Sequence, residues 1–420
     1  MSSLTRLIGN DGGLHFDALL IACAIIMYSL RLRHRYLLLI LALTAGIAFV
    51  IRFQVPVSNY TYLYPKEFEE GSPTEIIDGQ FTHFLKADSF QKSPEELTRS
   101  TNVILLASWR SGSSLTGQFF NQHEEVFYLF EPLKFLGVQR VDQQKAATAL
   151  KHMFRCEFDN MHHWAERTSA DILHRISSKS LISPTLCPSI NTDSIGPASE
   201  NRWMIKKCPP LVGKKVSEIC RSYRHKFIKV IRIANVTSLE ELLKDTSLNV
   251  KIIHLVRDPR ALYYSRLDAN KNRPPDRSMK LYDIVYTCKS TDGIMQLAEM
   301  SPTWMKGKYH IVRYEDIAMQ PLKAAQEMYK FMGLSMTPSV RRWILNNTAS
   351  DHVIQSTRDR LYGLQKNSTA VAHAWRYRAP FSAVDVVQEA CKAMMAKAGY
   401  IEAKTKRQLR DPKYKLIAKL

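Results

Sequence analysis

The chain has 420 residues, enough for one large domain or two ordinary ones with a substantial core, which excludes a disulfide miniprotein, a peptide hormone and a pure coiled coil. Hydrophobic residues make up 45% and charged residues 23%, the proportions of a globular protein, and 16 Gly with 18 Pro exclude a collagenous or low-complexity body. Fifty-nine Lys and Arg against 39 Asp and Glu leave a formal charge of +20, which calls for an anionic partner: nucleic acid, membrane surface, polyanionic glycan or phosphorylated cofactor.

The first feature in chain order is the uncharged run Tyr36 to Ile51 (YLLLILALTAGIAFVI), preceded by Arg31, Arg33 and Arg35. Arg52 can snorkel and Phe53 to Val57 are mostly apolar, so 36–53 reads as a membrane anchor. The basic residues upstream hold 1–35 in the cytosol and send the rest of the chain across, a type II topology. A cleaved signal peptide is the competing reading, but the run starts late and no small-residue cleavage site follows it. The shorter run Ala18 to Leu30 reads as an interfacial or cytosolic helix, with a second span as the alternative. From 54 to 100 the chain is polar and punctuated by Pro56, Pro65, Pro73 and Pro94, the composition of a stem.

The pattern changes at Thr101. Short Ile-, Val- and Leu-rich runs, each closed by a polar turn, mark strands buried on both faces: Asn102 to Ala107, Phe227 to Ile233, Lys251 to Val256 and Tyr309 to Val312. Helical-period segments between them predict a parallel α/β sheet flanked by helices. The domain is expected over 101–402, with a peripheral basic tail at 403–420. Beyond the anchor lie six cysteines, Cys156, Cys187, Cys208, Cys220, Cys288 and Cys391; an even number on the translocated side points to disulfides, with 15 pairings open. No C-x-x-C occurs, which argues against zinc. N-x-[ST] triplets at Asn59, Asn235, Asn346 and Asn367 fit the same oxidising compartment.

Two loops carry chemistry. The first buried strand runs into Ser108-Trp109-Arg110-Ser111-Gly112-Ser113-Ser114 and then a helical stretch, Leu115 to Asn121. A glycine in a strand-to-helix turn lets backbone amides converge on an anion, and the helix dipole adds to the attraction. Ser113 and Ser114 are placed to cap that helix, and Arg110 brings a cation to the same spot. The bland alternative is a serine-capped turn. The Walker pattern G-x-x-x-x-G-K-[ST] is missing. The second loop, Arg257-Asp258-Pro259-Arg260, closes the strand KIIHLV, so Arg257 falls at its carboxyl end and Ser265 about two turns into the next helix. Ligands of open α/β sheets bind at those ends, where both loops can face one crevice. The bland alternative here is an Arg257–Asp258 surface ion pair.

These residues resemble a known family. S-W-R-S-G-S-S and H-L-V-R-D-P-R-A-x-x-x-S, with R-Y-E-D at Arg313 to Asp316 and A-W-R at Ala374 to Arg376, are similar to the Golgi carbohydrate sulfotransferases that modify the 6-hydroxyl of galactose, N-acetylgalactosamine or N-acetylglucosamine. The resemblance spans about Asn102 to Tyr400. It implies a P-loop-like α/β fold behind a Golgi membrane anchor, a glycan or glycosaminoglycan acceptor, the donor 3′-phosphoadenosine 5′-phosphosulfate, and no metal. Carried over by position, Arg110, Ser111, Gly112, Ser113 and Ser114 correspond to the 5′-phosphosulfate loop and Arg257 with Ser265 to the 3′-phosphate site. Tyr314 matches a position that approaches the nucleotide, and Lys366 to Ser368 fall where a late 3′-phosphate contact is expected.

The charges imply in-line attack of a sugar hydroxyl on sulfur, with Arg110 and the loop amides stabilising the departing oxygen. Glu131 is the expected general base, since related sulfotransferases use a glutamate in this region; the competing arrangement pairs it with an arginine to shape the acceptor pocket. His123 is the alternative base. Two other classes remain: a nucleotide or sugar kinase, which should carry a Walker lysine, and a silent glycan-binding membrane protein. A lumenal location argues against nucleic acid as the partner.

Overall fold

The computed structural model describes residues 100–137, 141–188, 200–270, 281–349 and 363–418. The expected cytosolic segment and anchor, and all of the expected stem but Ser100, lie outside them. No helix among the described residues is long and apolar enough to cross a membrane.

Five strands form one parallel sheet: β1 (Asn102–Ala107), β2 (Val126–Phe130), β3 (His225–Val230), β4 (Val250–Val256) and β5 (Tyr309–Arg313), in the order β2-β3-β1-β4-β5. Alternate residues of each strand feed opposite cores. Ile104 and Leu106 join Ile228, Val230 and Ile252 on one face, while Val103 and Leu105 join Phe227, Ile253 and Leu255 on the other. Helices cover both faces, which is why the strands read as unbroken apolar runs. Two details depart from the sequence reading. β3 begins two residues earlier than Phe227 and leaves the sheet after Val230, and the edge strand β2 (VFYLF) has no counterpart among the four expected runs.

The register decides where the loops emerge. Phe130 lies opposite Lys229, Leu106 opposite Val230, Ala107 opposite Leu255 and Val256 opposite Arg313, so all five strands end along one edge. The chain runs from β1 to one side for β2 and β3, then crosses to the other for β4 and β5. The switch point between β1 and β4 is the crevice where such sheets take ligands.

The six expected disulfide cysteines pair as Cys156–Cys220, Cys187–Cys208 and Cys288–Cys391. The segment set apart as a peripheral tail is instead part of the domain. Ala403, Leu409 and Leu416 are buried with Ala261 and Trp375, and the Arg376 guanidinium donates to the carbonyls of Leu409, Asp411 and Tyr414. The A-W-R motif is therefore a clamp on the C-terminal segment.

The Cys288–Cys391 bond closes a separation of 103 residues. Its replacement by a pair of serines should lower the unfolding free energy by about 2–4 kcal/mol in denaturant titration. A variant as stable as the parent would show that the bond does nothing for the fold.

Candidate active site

The loop after β1 is shaped by backbone conformation. Gly112, at φ 93°, is the N-cap of the helix Ser113–Asn121, and no side chain caps that helix. The expected capping by Ser113 and Ser114 is thus not what the structure has: both lie inside the first turn, where the Leu115 amide donates to the Gly112 carbonyl and the uncapped helix end faces the loop. A Cβ at Gly112 would overlap the Tyr314 ring, so both the left-handed φ and the close approach require glycine. Arg110 also sits at positive φ, 70°, a conformation that costs a non-glycine residue roughly 1–2 kcal/mol. Ser111 is buried, with its hydroxyl donating to the Ser108 carbonyl at 2.8 Å.

The two expected anion loops meet. Arg257 Nη1 donates to the Arg110 carbonyl at 2.7 Å, and Arg110 Nε donates to Ser265 Oγ at 3.2 Å, across the helix Pro259–Asn270. The Arg257 guanidinium lies over the Tyr314 ring, 4.4 Å from its centre. Tyr314 opens the helix that follows β5, buried between the glycine of one loop and the arginine of the other. The Arg257–Asp258 ion pair weighed as the bland alternative is not what the described residues form. Asp258 instead takes Arg260 in a two-pronged pair at 2.9 and 2.7 Å, and its backbone amide donates to Glu315, whose other oxygen accepts from Tyr400. That buried scaffold holds the loop and frees Arg257 for the crevice. Arg257 is buried, and its Nε has no hydrogen-bond partner among the described residues. A buried guanidinium N–H without an acceptor is costly unless an anion completes it, so the residues fit an anionic ligand.

Ser368 does not join them. Its hydroxyl donates to the Ala318 carbonyl at 2.6 Å, which ties the segment after Lys366 to the helix that Tyr314 opens. His123 is structural as well: Nδ1 accepts from the Glu125 amide and Nε2 lies 3.1 Å from the Ser335 carbonyl.

Glu131 follows β2 at φ 46°, also left-handed. Its carboxylate takes Lys229 Nζ at 2.7 Å and Arg232 Nη1 at 3.0 Å, the ion-paired arrangement weighed against its role as base. Burial works against its charged form, but Lys229 and Arg232 outweigh that and bring its pKa down to about 2. A carboxylate held so low is a poor proton acceptor at neutral pH. Lys229 is the residue that sequence reasoning passed over. It stands inside FIKVIRI, a charge in an otherwise apolar strand, and that interruption is the signal. It is buried, covers the Phe130 ring at 3.8 Å, and donates to Ser114 Oγ at 3.3 Å, linking the first loop to Glu131.

Beside Glu131 opens a cavity of about 460 Å³, within the usual size range of small-molecule sites. Aromatic walls from Phe130, Phe135 and Trp164 meet polar groups from Arg167, Asp171 and His174.

A glycine-turned loop and an arginine pair meeting at the carboxyl edge of a parallel sheet define the class, an anion-binding α/β protein. The chain belongs to the sulfotransferase family: the sulfotransferase domain matches residues 100–399. Among its relatives are carbohydrate sulfotransferase 1 of Homo sapiens, 33% identical over 355 residues and covering 76% of this chain and 84% of that protein, and human carbohydrate sulfotransferase 6, 33% identical over 345 residues with coverages of 76% and 85%. A solved mouse sulfotransferase complexed with PAP is 12% identical, with coverages of 75% and 92% and a TM-score of 0.37. The enzyme class is therefore that of a sulfotransferase.

Two outcomes follow from this geometry. Gly112→Ala must move Tyr314 or the loop, and should remove binding of adenosine 3′,5′-bisphosphate in calorimetry; retained affinity would show that the loop tolerates the side chain. Glu131 has a folded pKa of about 2 against an ordinary 4.5, so its ion pairs stabilise the fold above pH 4.5, and that contribution is lost as pH falls through 2. The stability gap between wild type and Glu131→Gln should accordingly narrow as denaturant titrations move from pH 6 towards pH 3. A constant gap would place the Glu131 contribution elsewhere than in its charge.

Proposed function

We propose that the chain transfers a sulfuryl group from 3′-phosphoadenosine 5′-phosphosulfate to the 6-hydroxyl of galactose, N-acetylgalactosamine or N-acetylglucosamine in glycans such as keratan or chondroitin. The observation that carries the reading is the contact of Arg257 with Arg110 and of Arg110 with Ser265, which joins the two loops at one crevice. Relatives named carbohydrate sulfotransferases support a sugar as acceptor.

In this reading Arg110, Ser111, Gly112, Ser113 and Ser114 cradle the 5′-phosphosulfate. Arg257 and Ser265 hold the 3′-phosphate, and Tyr314 packs against the nucleotide. The first-turn amides and Arg110 stabilise the charge that grows on the oxygen leaving sulfur, an electrostatic contribution of the oxyanion-hole kind. Lys229 brings a second cation to the transferring group through Ser114, and Glu131 positions that lysine. The transferred group carries less charge than a phosphoryl group, which lets arginine and lysine do what a metal does in kinases.

The same reading places the enzyme in the Golgi membrane as a single-pass type II protein with a lumenal domain. The apolar run 36–51 behind three arginines supports it, as do three disulfides and the exposed asparagines Asn235, Asn346 and Asn367 in glycosylation triplets.

The deciding experiment incubates the purified chain with sulfur-labelled donor and a panel of keratan, chondroitin and N-acetylglucosamine-terminated acceptors, then locates the label on the sugar. Label at carbon 6 is expected; transfer to none of them sinks the proposal. Arg110→Ala should abolish transfer. Arg257→Ala, which removes a buried partner of an anion, should weaken binding of adenosine 3′,5′-bisphosphate about 30-fold or more.

A further inference from the structure

The cavity beside Glu131 is lined by two buried polar side chains, His174 and Trp164. His174 is 8% exposed and Trp164 1%; neither ring nitrogen of His174 nor the indole Nε1 of Trp164 has a hydrogen-bond partner of good geometry among the described residues. Both side chains line the cavity. His174 is nevertheless aimed. Asp171 caps the short helix Ile172–Ile176 through the His174 amide and sets its carboxylate 3.0 Å from His174 Nδ1, while Nε2 faces Glu131 Oε2 at 3.9 Å. Lys134 holds Asp171 from the other side at 2.5 Å, and together with His174 it keeps that carboxyl well below the usual range despite burial. A carboxylate beside each ring nitrogen, Asp171 at Nδ1 and Glu131 at Nε2, holds the imidazole in one orientation, as an acid partner orients a base.

Charge contacts connect this pair to the donor loop. Ser114 meets Lys229 at 3.3 Å, Lys229 meets Glu131 at 2.7 Å, and Glu131 meets His174 at 3.9 Å. β2 and β3 are sheet neighbours, so the cavity at the end of β2 lies next to the loop site rather than across the molecule. An anionic Glu131 already neutralised by two cations cannot readily take a proton, whereas a neutral imidazole offers a ring-nitrogen lone pair.

We propose that this cavity is the acceptor site and that His174 takes the proton of the acceptor hydroxyl. The proposal rests on the sulfotransferase reading above. A pyranose fits the chemistry of the walls: aromatic faces for its C–H surface, the Trp164 N–H for a ring hydroxyl, and Arg167 for a neighbouring acidic or sulfated sugar. In the step itself the hydroxyl oxygen bonds to sulfur as the bond from sulfur to the 5′-phosphate oxygen breaks. That electron pair leaves on adenosine 3′,5′-bisphosphate, and the hydroxyl proton passes to His174 Nε2 and then to solvent. Asp171 and Glu131 face the imidazolium so formed, with Lys134, Arg167, Lys229 and Arg232 as the surrounding cations.

The test uses the full chain with labelled donor and an acceptor from the panel that the wild type sulfates. His174→Ala should lower kcat about 10²- to 10⁴-fold, lose the acid limb of the pH–kcat profile, and regain activity with added imidazole, while adenosine 3′,5′-bisphosphate binds within twofold of wild type. Thr168→Phe, which fills the cavity from the helix His162–Ala170, should raise the acceptor KM at least tenfold with the same nucleotide affinity. An unchanged pH profile in His174→Ala removes His174 as the base, and an unchanged acceptor KM in Thr168→Phe removes the cavity as the acceptor site. A wild type that binds the nucleotide but sulfates no sugar overturns the functional reading and this inference with it. A His174→Ala protein that neither binds nucleotide nor responds to imidazole assigns the residue a folding role and overturns the proposal for it.

Discussion

The structure turns on one hydrogen bond from a cationic side chain to a backbone carbonyl. Arg257 donates to the carbonyl of Arg110, so two arginine-bearing loops from distant parts of the chain are brought together at the switch point of the sheet. Like charges at close range are unfavourable, and a fold under no other demand would separate them. Here the approach is enforced from below. Asp258 is committed to Arg260, Glu315 anchors the Asp258 amide, and Tyr314 supplies a ring on which Arg257 rests. The concentration of positive charge is thus a designed property of the edge, and an anionic ligand relieves it.

A second cluster extends that edge to the neighbouring strands. Lys229 leaves β3 to reach both the first loop and the carboxylate that follows β2, and Arg232, just past β3, closes on the same carboxylate. A change of charge at Ser114 is therefore felt at Glu131 through one ammonium group. Burial lowers the pKa of Lys229 while Glu131 opposes that fall, so the pair holds its charges only as a unit. This coupling gives donor binding a physical route to the cavity beside Glu131.

Much of this was legible in the chain itself. Four of the five strands, the two loops and the position of Ser265 follow from apolar periodicity and turn chemistry, because a parallel sheet covered on both faces writes unbroken hydrophobic runs. β2 escaped because VFYLF is a run of only five residues close behind a helix, and at that length an apolar run reads equally well as a buried helical segment. The 403–418 segment misled by its basic composition: its few buried residues, Ala403, Leu409 and Leu416, are spaced too widely to advertise a core contact. Asp171 and His174 were illegible for a different reason. Their meaning comes from Glu131, forty positions earlier in a strained turn, and local pattern carries no information about such a meeting. Disulfide pairing likewise needed the fold, since six cysteines leave 15 pairings open.

Arg110 and Glu131 share a feature beyond their charges: both occupy backbone conformations that glycine would adopt at less cost. At Glu131 the ion pairs with Lys229 and Arg232 offset that cost within the fold; at Arg110 folding and chemistry pull in opposite directions. A laboratory selection that rewarded thermal endurance alone would drift towards glycine at position 110, yielding a sturdier shell with one cation fewer to hold the transferring group.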